Sequence, residues 1–373
     1  MNIKQLNIRQ KVISILRRNK KEESEEVEEE MLEDNFDLDD LMNYVSNRIV
    51  GQDEAIRTLI SNILYNQLLL NEISEQETLD LIDLESRKIS ILLEGPTGTG
   101  KSAIINDIAS KLAIPVTITN ISKFFENDFS TNEILYDLLL KADGQLEFAE
   151  RGIVVIDEID KIANNSDYGS IDARKYIQEA IVALMSGEIC QFSINQGDNP
   201  PVEVPFDTSK LTFVLSGDFS NLKKKGVNDR GLVKTPGFCD SDTSNENITI
   251  KECINTNMSP DFFKKIKVIA NTKKYDIEDY ENILLHSEIS PLNNLVRTFK
   301  RFDYENVKYD SGLVRKLAND AYDMGVGARG LQILVSEVQN KVLYDIMTQK
   351  YNKNEEISLT KDLLETGRQR VRK

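Results

Sequence analysis

Gly95-Pro96-Thr97-Gly98-Thr99-Gly100-Lys101-Ser102 is a G-x-x-x-x-G-K-S run. Its glycines let the backbone turn tightly, so that successive N–H groups can wrap a phosphate chain. A helix that starts there points its positive end at the same anion. Lys101 is then expected to bridge the β- and γ-phosphates of a nucleotide, and the Ser102 hydroxyl to ligate Mg2+. A second run, Ile153-Val154-Val155-Ile156-Asp157-Glu158, is apolar and ends in two carboxylates. Asp157 is expected to hold the Mg2+ shell and Glu158 to polarise an attacking water. Acid pairs also close ordinary strands, so this run takes its meaning from the loop before it. A third run, Gly327-Ala328-Arg329-Gly330-Leu331, sets an arginine at a helix start, against the helix dipole. Either it is a surface arginine or an anion such as a nucleotide phosphate compensates it.

Other chemistries have few residues to work with. The only histidine, His286, sits in ENILLHSE and reads as an ordinary helix residue, which argues against Ser-His-Asp and Cys-His centres. Cys190, Cys239 and Cys253 lie far apart and form no C-x-x-C, so no cysteine-based zinc module is expected. Sparse, odd thiols fit a reducing cytosol, and a cytoplasmic location is expected.

These residues need a scaffold. ISILLE (89–94), VTIT (116–119), GIVVID (152–157), LTFVLSG (211–217) and KVIA (267–270) read as strands. KSAIINDIASKLA (101–113), NEILYDLLLKA and ARKYIQEAIVALMSG read as helices between them. Such alternation argues for an α/β fold with a largely parallel sheet. The strands carrying the phosphate loop and the acid pair are expected to be neighbours, with both sites at their carboxyl ends. LMNYVSNRIVGQDEAIRTLISNILYNQLLL reads as two helices broken at Gly51, followed by an acidic insert to about Arg87. Residues 223–258 read as a long loop. From Asp276 the pattern is mainly helical. The expected organisation is a charged head (1–40), a large nucleotide-binding domain (41–272), a smaller helical α+β domain (273–358) and a basic tail (359–373).

The chain has 373 residues and a net charge of −16. Residues 1–21 carry seven bases and no acid, and residues 22–40 carry twelve acids and no base. The acidic block self-repels and is expected to be a solvated tether. The basic stretch is either a frayed arm or a short docking helix. The overall acidity repels phosphate backbones, so neither nucleic acid nor a DNA-directed motor is expected. No apolar run reaches 18 residues, so no membrane span is expected.

Taken together, these runs resemble the AAA+ ATPases, specifically the ClpX branch of the Clp/HslU unfoldases. The likeness runs from about Leu41 to Met347. It rests on YVSNRIVGQDEA, GPTGTGKS, RGIVVIDEIDKIA, YIQEAIVALMSG, FDTSKLTFVLSGDF, SPDFFKKI and GARGL. It implies an AAA+ large domain with a parallel sheet and a small helical domain. It implies ATP and Mg2+, with Ile49 and Val50 flanking the adenine. It makes Arg329 the sensor 2 residue that reaches the γ-phosphate, and places sensor 1 near Ser216. It also implies a homo-oligomeric hexameric ring that hydrolyses ATP to move a protein substrate.

The chain departs from that pattern in several places. The charged head stands where the family carries a zinc-binding domain. Lys265 replaces the family's arginine finger in Pro260-Asp261-Phe262-Phe263-Lys264-Lys265, giving a point charge instead of a planar fork. The pore loop falls near Phe125-Glu126-Asn127-Asp128 and lacks its aromatic, although Phe124, Phe125 and Phe129 lie close by. No basic loop for substrate is evident in SINQGDNPPVE. Only Pro236-Gly237-Phe238 is reminiscent of the peptidase-docking tripeptide, so docking to a ClpP-type peptidase is expected to be weak or absent. The alternative reading is a nucleotide-binding scaffold or regulatory subunit of a mixed AAA+ ring.

Overall fold

The structure, a computed structural model, describes residues 38–75, 89–126, 129–163, 169–196, 199–219, 258–348, 357–361 and 364. The head through residue 37, the acidic insert, most of the long loop with Pro236-Gly237-Phe238, and residues 365–373 lie outside the described residues. So do Asn127 and Asp128.

Two helices open the described chain, α1 (Leu38–Arg48) and α2 (Asp53–Glu75). Between them Gly51 takes a left-handed φ of 82°. Five strands then build one sheet: β1 (Ile91–Glu94), β2 (Val116–Asn120), β3 (Ile153–Asp157), β6 (Thr212–Gly217) and β7 (Val268–Asn271). Their order is β2-β3-β6-β1-β7 and every pairing is parallel. The expectation that β1 and β3 are neighbours is corrected: β6 lies between them, hydrogen-bonded to both. Adjacent strands sit about 4.8 Å apart, so the inserted strand roughly doubles the spacing between the two tagged strands. It also brings its own carboxyl end, with Ser216, into the gap.

All four residues of β1 and all six of β6 are buried, as a parallel sheet covered on both faces requires. The crossovers are α3 (Lys101–Lys111), α4 (Thr131–Lys141), α5 (Leu146–Glu150), a four-residue turn of helix α6 (Asp160–Ala163), and α7 (Ile171–Met185). Their starts are chemically marked. Ser130 and Glu133 form a capping box on α4, and the Ser170 hydroxyl accepts from the Ala173 N–H at the start of α7. Helix α8 (Pro260–Lys265) starts with Pro260 at its first position behind the Ser259 cap. An antiparallel hairpin, β4 (Ile189–Gln196) with β5 (Asn199–Asp207), occupies the stretch around SINQGDNPPVE, where no strand was expected.

The chain divides into two compact units. The first holds the sheet and draws its described residues from 38–42, 54–95 and 101–272. Its core runs through Ile156, Leu215, Phe213, Phe262 and the inner faces of α4 and α7. Each fully buried aliphatic stabilises by about 1.5–3 kcal/mol, against about 0–1 kcal/mol for a surface ion pair. Apolar packing therefore holds the strand ends in place.

The second unit comprises residues 43–53, 96–100 and 273–373. It contains α9 (Ile277–His286), α10 (Pro291–Arg301), α11 (Ser311–Met324) and α12 (Arg329–Met347). It also holds a two-stranded parallel ribbon, β8 (Val307–Tyr309) with β9 (Ile357–Leu359), whose strands are three residues each. Asp276 and Asp279 form a capping box on α9, and α11 ends on left-handed Gly325. Residues 43–53 are tied in by Gln52, whose amide exchanges two hydrogen bonds with the Lys273 backbone at 2.9 and 3.0 Å. Leu359 pairs in β9 and Leu364 is buried in this unit's core. His286 closes α9 on an exposed face.

Candidate functional site

The sheet's carboxyl edge collects the chemistry. Ser102 opens α3 one residue after Lys101, and its hydroxyl lies 3.2 Å from Asp157 Oδ2. Asp157 ends β3. Its other oxygen, Oδ1, accepts from the Ser216 hydroxyl at 2.7 Å and from the Glu158 N–H at 2.9 Å. The β6 strand that separates β1 from β3 therefore supplies the third donor that fixes this carboxylate.

Glu158 adopts φ 61°, a left-handed conformation rare for a side chain of its kind. Such backbone strain costs about 1–3 kcal/mol and persists where surrounding contacts over-determine it. Here they do. Glu158 Oε2 accepts from Asn120 Nδ2 at 2.6 Å and from the Lys161 ammonium, one turn along the chain. Asn120 ends β2 in direct register with Asp157. The β2 and β3 ends together thus aim two carboxylates with different partners.

Lys101 donates to the Gly95 carbonyl at 2.6 Å. Burial pulls its pKa below the ordinary lysine value, against the opposing pull of Asp157, Asp218, Asp160 and Glu94. Burial pushes the Asp160 carboxyl up, although the carboxylate accepts from the Asp218 N–H at 3.1 Å.

The loop's glycines are sterically required. A Cβ on Gly98 would lie 2.3 Å from the Val326 carbonyl oxygen, and one on Gly327 would lie 2.6 Å from the Gly98 backbone. Both residues have left-handed φ, 80° and 69°. Gly100, with φ 90°, sits against Ile49, whose methyl would be 3.1 Å from an added Cβ.

The structure thus gathers Gly95, Lys101, Ser102, Asp157 and Glu158 at one sheet edge, and packs Ile49 against Gly100. Val50 is half-buried against the second unit's core. Pro96 and Thr97 form the outer bend of the loop, and Thr99 is buried with its hydroxyl donating to the Pro96 carbonyl at 2.9 Å. Arg329 is exposed at the first residue of α12. Lys265 ends α8, just ahead of edge strand β7, and is half-buried. Phe124, Phe125 and Phe129 pack against the first unit's core, with the Phe124 and Phe129 rings 4.6 Å apart.

Asn120 and Lys161 were missed by the sequence reading. A polar residue closing β2 and a lysine three residues after Glu158 were the available signals.

Hard oxygen donors suit Mg2+. The Ser102 hydroxyl and the Asp157 carboxylate, already within 3.2 Å of each other, fit such an ion. Among the described residues no cluster of three His, Cys, Asp or Glu could hold a metal by itself, so the remaining ligands would be phosphate and water. No helix among the described residues is long and apolar enough to cross a membrane.

Residues 91–217, from the first residue of β1 to the last of β6, match the AAA family, the ATPase family associated with various cellular activities. The chain is also similar to the ATP-dependent Clp protease ATP-binding subunit ClpX of Borrelia duttonii (strain Ly). The two are 27% identical over 337 residues, covering 86% of this chain and 77% of the relative. The ClpX subunit of Porphyromonas gingivalis (strain ATCC 33277) is 27% identical over 329 residues, covering 83% and 78%. The chain therefore carries an AAA ATPase domain and is a distant homologue of the ClpX ATP-binding subunits.

Proposed function

We propose that this chain is an ATP-hydrolysing protein remodeller that works in an oligomeric ring. The observation that supports it most is the Asp157 carboxylate, held by Ser102 on one oxygen and Ser216 on the other, with Glu158 next in the chain. In this reading the phosphate loop, residues 95–102, binds the triphosphate. Lys101 pairs with the β- and γ-phosphates, and Ser102 and Asp157 hold Mg2+. When bound, the ion neutralises charge across the phosphate oxygens. Glu158 accepts the proton of the attacking water, once its carboxylate leaves Asn120 and Lys161. Ile49 and Val50 flank the base. Arg329 stabilises the γ-phosphate, and Lys265 does so in trans from a neighbouring subunit. The work done is movement of a protein substrate, with docking to a ClpP-type peptidase weak or absent.

The test is steady-state ATP turnover against protein concentration, with Glu158→Gln as the control. Turnover that climbs steeply with concentration and vanishes in the variant is expected. Lys265 supports a second reading, a nucleotide-binding scaffold or regulatory subunit of a mixed ring, because a point charge replaces the planar fork. Tight ATP binding with no turnover at any concentration would select that reading.

A further inference from the structure

The carbonyls of the phosphate loop are engaged one after another. Lys101 takes the Gly95 oxygen and the Thr99 hydroxyl takes that of Pro96. The Ala328 N–H donates to the Gly98 oxygen at 2.9 Å. The Tyr275 hydroxyl donates to the Thr99 oxygen at 3.0 Å. All peptides among the described residues are trans. In a trans peptide the N–H points opposite to the carbonyl. Fixing the carbonyls of Pro96, Gly98 and Thr99 therefore also fixes the N–H groups of Thr97, Thr99 and Gly100, each pointing away from its own carbonyl.

We propose that Tyr275 is a positioning residue for nucleotide binding. Its hydroxyl, by holding the Thr99 carbonyl, sets the Thr99–Gly100 peptide so that the Gly100 N–H is already turned toward the phosphate chain. This rests on the reading that residues 95–102 bind nucleotide.

The ring itself is explained by packing. Tyr275 is 3% exposed and meets Tyr280 edge-on, with ring centroids 5.8 Å apart. A phenylalanine would fill that space equally well. The hydroxyl needs a separate reason, since a buried hydroxyl without a partner costs stability. The hydroxyl donates to the Thr99 carbonyl and is also hydrogen-bonded to the Gln52 side chain. Burial pushes the phenol up to about 12, so it remains a donor throughout the neutral and mildly alkaline range. Tyr275 follows β7 closely in the chain, and Ala328 directly precedes α12. Residues 96–100, Tyr275 and Ala328 all belong to the second unit, which therefore holds this stretch at two separate points of its own fold.

The experiment compares wild type, Tyr275→Phe and, as control, Tyr280→Phe. A fluorescent ATP analogue with Mg2+ is titrated into each at 20 °C, and ATP turnover gives KM and kcat. One lost hydrogen bond corresponds to roughly a 2- to 12-fold effect. Tyr275→Phe is expected to weaken analogue binding and raise KM about fivefold, with kcat within twofold of wild type. Tyr280→Phe is expected to bind as wild type does. Thermal midpoints without nucleotide establish that each variant is folded at the titration temperature. If wild type binds and Tyr275→Phe binds within 1.5-fold of it, the inference fails, even where the midpoint drops, because the hydroxyl then serves the fold alone. If wild type binds no nucleotide, the proposed function fails and takes the inference with it. Should Tyr275→Phe not fold, Tyr275→His, which keeps a ring and a donor, is expected to recover binding that Tyr275→Leu loses, and equal binding by those two overturns the inference.

Discussion

The candidate site residues fall into two groups. Ser102, Asp157 and Glu158 sit at the carboxyl edge of the first unit's sheet, held by hydrogen bonds that include those donated by Ser102, Ser216 and Asn120 at 2.6 to 3.2 Å. Arg329 instead stands exposed at a helix start, and Lys265 half-buried at a helix end. The difference follows from what each group can rely on. A carboxylate that must aim within about half an ångström needs supporting donors from its own fold. A long cation that meets a ligand or another subunit can find its partner when that partner arrives. The first group is therefore held in place by its own fold.

The comparison breaks most sharply at Glu158. Glu158→Gln keeps the size and the Asn120 contact but removes the base. Turnover is expected to fall by about 10²–10⁴, while binding of the fluorescent analogue stays within a few-fold. Loss of binding in parallel with turnover would show that Glu158 shapes the loop and does not act on water. Arg329→Ala tests the second group. It is expected to lower turnover roughly 10- to 150-fold, the scale of a charge-assisted contact of about 1.5–3 kcal/mol, with no change in the midpoint of the nucleotide-free protein. A drop in that midpoint would move Arg329 from the ligand to the fold.

Stability offers a third test. Gly98 and Gly327 approach so closely that neither tolerates a Cβ, and both are left-handed. Gly327→Ala is expected to cost about 1–3 kcal/mol and lower the midpoint by about 5 °C in a thermal scan. Gly325→Ala sharpens the result: that residue is also left-handed, but an added Cβ meets nothing within 4 Å. Its loss should be smaller, because only the backbone term remains.

The fold was legible wherever the signal is local. β1, β3 and β6 are short apolar runs, the helices between them follow 3.6-residue spacing, and the loop's glycines carry their own motif. What escaped the sequence is non-local. Nothing in Ile91–Glu94 or Ile153–Asp157 tells that β6 inserts between them, since strand pairing is decided by packing across distant segments. β8 and β9 are three residues each, too short for alternation to register. Of the candidate site, Lys101, Ser102, Asp157 and Glu158 were readable from their own motifs. Asn120 was not, because its role comes from lying opposite Asp157 in register. Tyr275 was not, because its partner is a backbone oxygen far earlier in the chain.

The smallest expected effect is a pH dependence. Burial lowers the Lys101 pKa below 10.5 in the nucleotide-free protein. Bound phosphates favour the charged ammonium and raise that pKa again. The complex therefore holds more protons than the free protein over the window between the two values, and affinity must fall as pH rises through it. Below the window the lysine is charged in both states, and its contribution is flat. Analogue binding is expected to be level near pH 7 and to weaken by a few-fold toward pH 10. Lys101→Arg, which keeps its charge throughout, should bind less well but lose no further affinity over that range. An identical alkaline decline in Lys101→Arg would assign the titration to another group. The same lowered pKa has a consequence for the free protein. The unfolded chain holds the proton more tightly, so the cost of burying the ammonium is fully present below the folded pKa and is relieved as pH rises toward 10.5. Lys101→Met should therefore raise the nucleotide-free midpoint at neutral pH, and that gain should shrink as the pH approaches 10.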